Sequence, residues 1–133
     1  MAVMLDADVI IRGEKGAFDL RAWLESKPDE VFEVATITVA ELWHGVERAD
    51  LARKARRQQY LQRVLAPLPV VPYTEEIAHE HARIWAQLEA SGKRIGAYDL
   101  IVAATALSRG SELATFSRRH FDCVPGLQVI EPR

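Results

Sequence analysis

The sequence predicts a three-layer α/β/α domain built on a central parallel sheet of four to five strands, with residues 1–133 forming a single domain. Three observations carry this. Ala2 to Leu5 is an apolar run without polar interruption, as in a strand buried on both faces. Short apolar or β-branched runs then alternate with segments of helical period, the pattern of a parallel sheet with helices on both faces. Late in the chain, Leu100 to Leu107 is apolar on almost every side, which places a helix in the domain interior.

Taken in order, the first strand stops at Asp6, and Ala7 to Arg12 reads as a short helical turn ending near Gly13 and Gly16. Phe18, Leu20, Trp23 and Leu24 suggest a second helix, closed by Lys27-Pro28. Val31 to Ile37 is a second strand, rich in β-branched residues. Thr38 is expected to open the next helix, whose stripe is Val39, Leu42, Trp43 and Val46. Leu51 to Leu65 is helical with a basic surface, and Pro67 and Pro69 close it ahead of a short strand over Leu68 to Val71. Thr74 is the expected N-cap of a long helix to about Ser91, with Gly92 as its stop signal and Ile77, His81, Ile84, Trp85 and Leu88 as its stripe. The interior helix follows, then strands at Leu113 to Phe116 and Leu127 to Ile130.

Bulk properties narrow the function classes. At 133 residues the chain can bury a core without staples. Cys123 is its one cysteine, so an intrachain disulfide or a cysteine-based zinc site is excluded. A net charge of −2 argues against holding duplex DNA by bulk electrostatics, though a cluster of acids can mask a local basic surface. No window reaches the length of a membrane span, and Asp6 and Asp8 break any leader-like run; a cytoplasmic protein is expected.

The acids carry the chemistry. Singly, each has a structural explanation. Asp6 can cap the turn after it, Glu41 stands three residues after Thr38 at capping-box spacing, and Asp99 suits the dipole of the helix it precedes. Together they stand at a strand end and in the first turns of two later helices, positions that converge on the carboxyl edge of a parallel sheet. Close carboxylates raise one another's pKa unless a cation sits among them, and an all-oxygen set suits Mg²⁺ or Mn²⁺. Such an ion acidifies a bound water and neutralises phosphate charge, so hydrolytic phosphoryl chemistry is the leading reading. Asp8, at the opening of the turn, is read as a cap or as a supporting acid.

Four segments then resemble a known family. LDADVII, TVAELWHG, GAYDLIVAATAL, and ATFSRRHF followed by VPGLQVI look like the motifs of PIN-domain ribonucleases, in order and across essentially the whole chain. The likeness is greatest to the toxin half of bacterial VapBC toxin–antitoxin pairs. The resemblance implies a PIN-like fold and a Mg²⁺- or Mn²⁺-dependent endoribonuclease acting on RNA, held inactive by a VapB-like antitoxin. By motif match, Asp6, Glu41 and Asp99 take the places of the metal-site acids. One departure stands out: Ser117 occupies a position where many members carry Asp or Asn. A hydroxyl can hold a metal-bound water but brings no charge, which opens the choice between one ion and two. Thr115 and Ser117 are expected to help order the water, and Arg118 or Arg119 to meet the RNA backbone. His120 and Asp122 lie at other offsets and receive no role. The Asp6-Ala7-Asp8 pair also resembles the haloacid-dehalogenase phosphatases, whose late paired acids are lacking here because Asp99 follows Tyr98. A non-catalytic PIN-like scaffold for RNA or a partner is the other alternative.

Remaining features have mostly structural readings. Arg53, Arg57, Tyr60 and Arg63 share one helical face, either solvated or a phosphate track with Tyr60 free to stack. His79 and His81, two apart on a helix, point to nearly opposite sides and cannot chelate together. Trp23, Trp43 and Trp85 read as core residues. The long helix stripes can also supply a homodimer face, which is expected, or a groove for an antitoxin helix.

Overall fold

A computed structural model describes residues 1–133. It is the expected three-layer α/β/α fold: a five-stranded, all-parallel sheet in the order β3-β2-β1-β4-β5, flanked by helices on both faces. The strands are β1 (Ala2–Leu5), β2 (Val31–Ala35), β3 (Val70–Val71), β4 (Glu112–Ala114) and β5 (Val129–Ile130). The helices are α1 (Ala7–Glu14), α2 (Leu20–Glu25), α3 (Thr36–Arg48), α4 (Leu51–Leu65), α5 (Glu75–Ala90), α6 (Ala97–Arg109) and α7 (Arg118–Phe121).

Because side chains alternate along a strand, each strand feeds two cores. Val3, Leu5, Val34 and Ala114 pack with α1 to α4, around Ile10, Trp23, Leu42, Val46 and Leu61. Met4, Ala35 and Leu113 pack on the opposite face with α5, α6 and α7, around Ile84, Leu88, Leu100, Val102 and Phe121. Helix α6 is the apolar helix that the sequence places inside: Val102, Ala103, Ala104 and Ala106 are fully buried.

The strand order creates the site. From β1 the chain moves outward to β2 and β3, then returns through α5 and α6 to lay β4 on the other side of β1. The crevice at the carboxyl ends of β1 and β4 is thus a topological switch point, where ligands bind in open parallel sheets. Leu5 pairs with Ala114, so the next residues, Asp6 and Thr115, stand side by side.

Several sequence expectations need correction. Strand β2 ends at Ala35 and α3 begins at Thr36, so Thr38 is an interior helical residue and forms no capping box with Glu41. Thr38 is fully buried, and its Oγ1 has no hydrogen-bond partner. Trp85 is not a core residue: it is 54% exposed and stacks on the His81 ring at 5.6 Å. Tyr60 is not free to stack on a base, because its hydroxyl donates to the Ile10 carbonyl at 3.2 Å. By contrast, Thr74 does cap α5, accepting from the Ile77 N–H, and Gly110 ends α6 in the left-handed conformation that glycine favours.

Candidate metal centre

Asp6 is placed by β1. Its backbone N–H donates to the Ala114 carbonyl at 2.9 Å, continuing the β1–β4 ladder by one residue. Its side chain caps α1, Oδ1 accepting from the Ala7 N–H at 2.9 Å, while Oδ2 accepts from Thr115 Oγ1 at 2.8 Å. The cap explanation is therefore true of it, and its second oxygen faces Thr115 in the crevice. Only 6% of the residue is exposed. Burial, then the nearby charge of Asp8, outweigh the Thr115 hydrogen bond; with the charge of Asp99 they push the Asp6 carboxyl up to about 6.

Glu41 reaches the same place from the second turn of α3. Burial pushes its carboxyl up to about 7, with the charges of Asp6 and then Asp99 adding to the shift. Its Oε1 is buried with no hydrogen-bond partner. An unpaired buried carboxylate oxygen is costly and calls for a ligand. Asp99 stands in the first turn of α6, after an N-cap, Gly96, that has no side chain to offer. Burial raises the Asp99 carboxyl; His120, whose Nδ1 is 3.3 Å from Oδ2, counters this, and the charge of Asp8 adds to the rise. The fold thus brings Asp6, Glu41 and Asp99 within electrostatic reach of one another, as their positions in the sequence imply.

These acids do not form a preformed cage: no three His, Cys, Asp or Glu side chains stand at ligand spacing. Their raised pKa values come first from burial, with neighbouring acids adding to the shift. His120 is the one basic side chain in ion-pair range of the three. The orphaned Glu41 oxygen and the all-oxygen donor set fit a hard divalent cation.

The loop after β4 completes the crevice. Thr115 is fully buried and its hydroxyl lies between Asp6 and Asp8, 3.2 Å from Asp8 Oδ2. Asp8 also accepts from the Phe116 N–H at 3.1 Å and from Ser117 Oγ at 2.8 Å. Ser117 opens α7 without capping it, since its hydroxyl is committed to Asp8. Asp8 is thus not the α1 cap but the anchor of the 115–117 loop. Arg118 lies 3.8 Å from Asp122, and Arg119 beside it is exposed.

Three residues near the crevice make contacts that the sequence reading does not assign them. Asp8 was read no further than a support. His120 reaches Asp99 because α7, a four-residue helix too short to show a period, turns the chain back. Arg12 lies with its guanidinium 4.3 Å from the Phe116 ring centroid, and Phe116 is held edge-on by Phe18. The i, i+4 spacing of Asp8 and Arg12, which puts both on one face of α1, was the available signal.

The family model described as "PIN domain" matches residues 3–127. The chain belongs to the PIN-domain family. This also separates it from the phosphatases that its Asp6-Ala7-Asp8 pair resembles. Among curated relatives of this PIN domain, Ribonuclease VapC10 of Mycobacterium tuberculosis is 33% identical over 131 residues, covering 98% of this chain and 91% of the relative. The VapBC of Salmonella typhimurium, solved bound to DNA, superposes with a TM-score of 0.89 at 27% identity, over 98% of each chain. The VapBC2 structure of Rickettsia felis, bound to a fragment of its promoter DNA, gives a TM-score of 0.93 over 100% of each chain; at 23% identity it speaks to the fold.

Proposed function

We propose that this PIN domain is a Mg²⁺- or Mn²⁺-dependent endoribonuclease, the toxin of a type II toxin–antitoxin pair. The observation that carries the metal reading is Glu41 Oε1, buried and unpartnered within reach of the Asp6 and Asp99 charges. The ribonuclease reading draws on relatives such as VapC10 and on the PIN match across the chain. Asp6, Glu41 and Asp99 would hold the ion. A divalent cation at such a site supplies Lewis acidity, lowering the pKa of water and neutralising charge that develops on the phosphate.

The chain's own residues do the rest. Asp6 is fixed at both oxygens, by the Ala7 N–H and by Thr115, so its orientation is set before any ligand arrives. Thr115 and Ser117 hold the loop that forms one wall and help to order water there. Arg12, over the Phe116 ring, and the exposed Arg118 and Arg119, which follow the loop directly, offer guanidinium groups suited to phosphate oxygens. In the hydrolysis, a water oxygen bonds to phosphorus and gives up a proton to solvent, the bond from phosphorus to the leaving ribose oxygen breaks, and that oxygen takes up a proton from solvent.

The partners in this reading are RNA, a VapB-like antitoxin and a second copy of the chain. A groove of about 170 Å³ starts at Glu41 and is lined by Ile10, Leu42, Val46 and Leu61, with Arg57 at its margin. Glu14, Lys15 and Arg57 share its lining, so it offers an antitoxin segment a mixed polar and apolar seat beside the metal acids. Trp85 and Tyr98, both more than half exposed, leave aromatic surface on α5 and α6 for a dimer. No helix is long and apolar enough to cross a membrane, and the proposed work is cytoplasmic.

The test is RNA cleavage by the purified chain with and without Mn²⁺, beside Asp6→Asn and Asp99→Asn. Metal-dependent cleavage that falls by about a hundredfold or more in both variants is expected. Equal cleavage by wild type and both variants, or by wild type with and without chelator, would contradict the proposal.

A further inference from the structure

We propose that Asp8 supplies, from α1, the negative charge that Ser117 does not bring to the metal centre. The inference rests on the divalent-metal reading above and assigns Asp8 as a positioning residue of that centre.

The argument is geometric. Residue 117 follows β4 by three positions and stands where a side chain can join the crevice. In this chain it is a neutral hydroxyl, and its Oγ donates to Asp8 Oδ2 at 2.8 Å. A carboxylate is therefore present at that corner, one hydrogen bond away, but it comes from a different element. Asp8 is also joined to Asp6 by a single atom, because Thr115 Oγ1 lies 2.8 Å from Asp6 Oδ2 and 3.2 Å from Asp8 Oδ2. That hydroxyl has one proton, so it cannot donate to both carboxylates at once.

A carboxylate used only to pin a loop has no reason to stand a single atom from a buried acid that already carries charge. A neutral Asn could accept from the Phe116 N–H and from Ser117 as well, without the repulsion. Placed here, the charge is held by those two hydrogen bonds and set against that of Asp6, an opposition that a shared cation relieves. The i, i+4 relation to Arg12 puts a cation one turn further along α1, but Arg12 lies over Phe116 rather than on Asp8. Ser117 and Asp8 thus act as one unit: the loop provides the hydroxyl and α1 the charge.

The experiment is a calorimetric titration of the full chain with Mn²⁺, without RNA, on wild type, Asp8→Asn, Ser117→Asp, the Asp8→Asn/Ser117→Asp double variant and Asp6→Asn. Asp8→Asn is expected to weaken Mn²⁺ binding about tenfold or more, the usual scale for a supporting residue at a metal site. Moving the acid back to 117 in the double variant should recover wild-type affinity to within about threefold. Ser117→Asp alone should gain less than about threefold, since the corner is already charged, and this arm does not depend on how Asp8→Asn folds. Unchanged affinity in Asp8→Asn, no recovery in a double variant that melts like wild type, or a large gain from Ser117→Asp alone would each overturn the assignment. If Asp6→Asn binds Mn²⁺ as wild type does, the metal reading itself fails, which separates the two failures.

Discussion

Glu41 shows what burying a carboxyl beside other acids costs a fold in stability. Its carboxyl is raised to about 7 and that of Asp6 to about 6, against ordinary values of 4.5 and 3.8. Between the ordinary and the raised values the folded chain holds more protons than the unfolded chain, so stability falls as pH rises through this window. The metal-free protein should accordingly lose melting temperature from about pH 4 to about pH 7, and Glu41→Gln should flatten that loss and melt higher than wild type at alkaline pH. A thermal melt series in chelator checks this. A Glu41→Gln curve parallel to wild type would show that the acid is not strained. Mn²⁺ should remove the advantage of the variant, because the ion offsets the burial cost and repulsion that the substitution relieves.

At the scale of elements, the sequence was most legible where hydrophobic period is strong. The buried run of β1, the long α5 with its Thr74 cap and the apolar α6 all stand where the pattern puts them. Misreadings fall where short-range signals compete. Thr38 offered a capping signature, but Thr36 already sits in the first turn of α3 and Ala35 makes the transition without a side-chain cap. Trp85 shares a helical period with Ile84 and Leu88, yet at the edge of that stripe it turns out to solvent. The contrast with Trp23, 5% exposed and packed against Phe18 and Phe32, is measurable. Trp23→Ala should cost about 3–5 kcal/mol and Trp85→Ala much less, by urea unfolding. Equal losses would contradict the packing.

A second element-level device joins β2 to the end of α6. Glu33, 1% exposed in mid-strand, accepts from Arg109 at 2.7 Å and from Ser111 at 2.6 Å. Nothing in the alternation of β2 distinguished this acid from an exposed one, since its partners lie more than 70 residues away. Arg109→Ala leaves a buried carboxylate with only a hydroxyl partner. Because Arg109 is itself half exposed and screened, the expected loss is about 2–3 kcal/mol rather than the upper range for buried pairs. Glu33→Gln in the same background should recover part of it.

Over the whole molecule, the site is a consequence of strand order. Asp6, Glu41 and Asp99 were identifiable as a set because each follows a strand or stands in the first two turns of a helix, and a parallel sheet gathers such positions at one edge. What the sequence could not convey is which neighbours reach them. Asp8 and Ser117 lie 109 positions apart and meet through the pairing of β1 with β4, and His120 meets Asp99 through a helix too short to leave a pattern. The central claim is that this edge of the sheet is a divalent-metal centre. Crystals of the chain soaked in Mn²⁺, measured at the manganese edge, test it most directly. An anomalous peak in contact with the Asp6 and Asp99 carboxylates and Glu41 Oε1 is the result expected. A peak only elsewhere, or none at these carboxylates with Glu41 Oε1 still unpartnered, would contradict it.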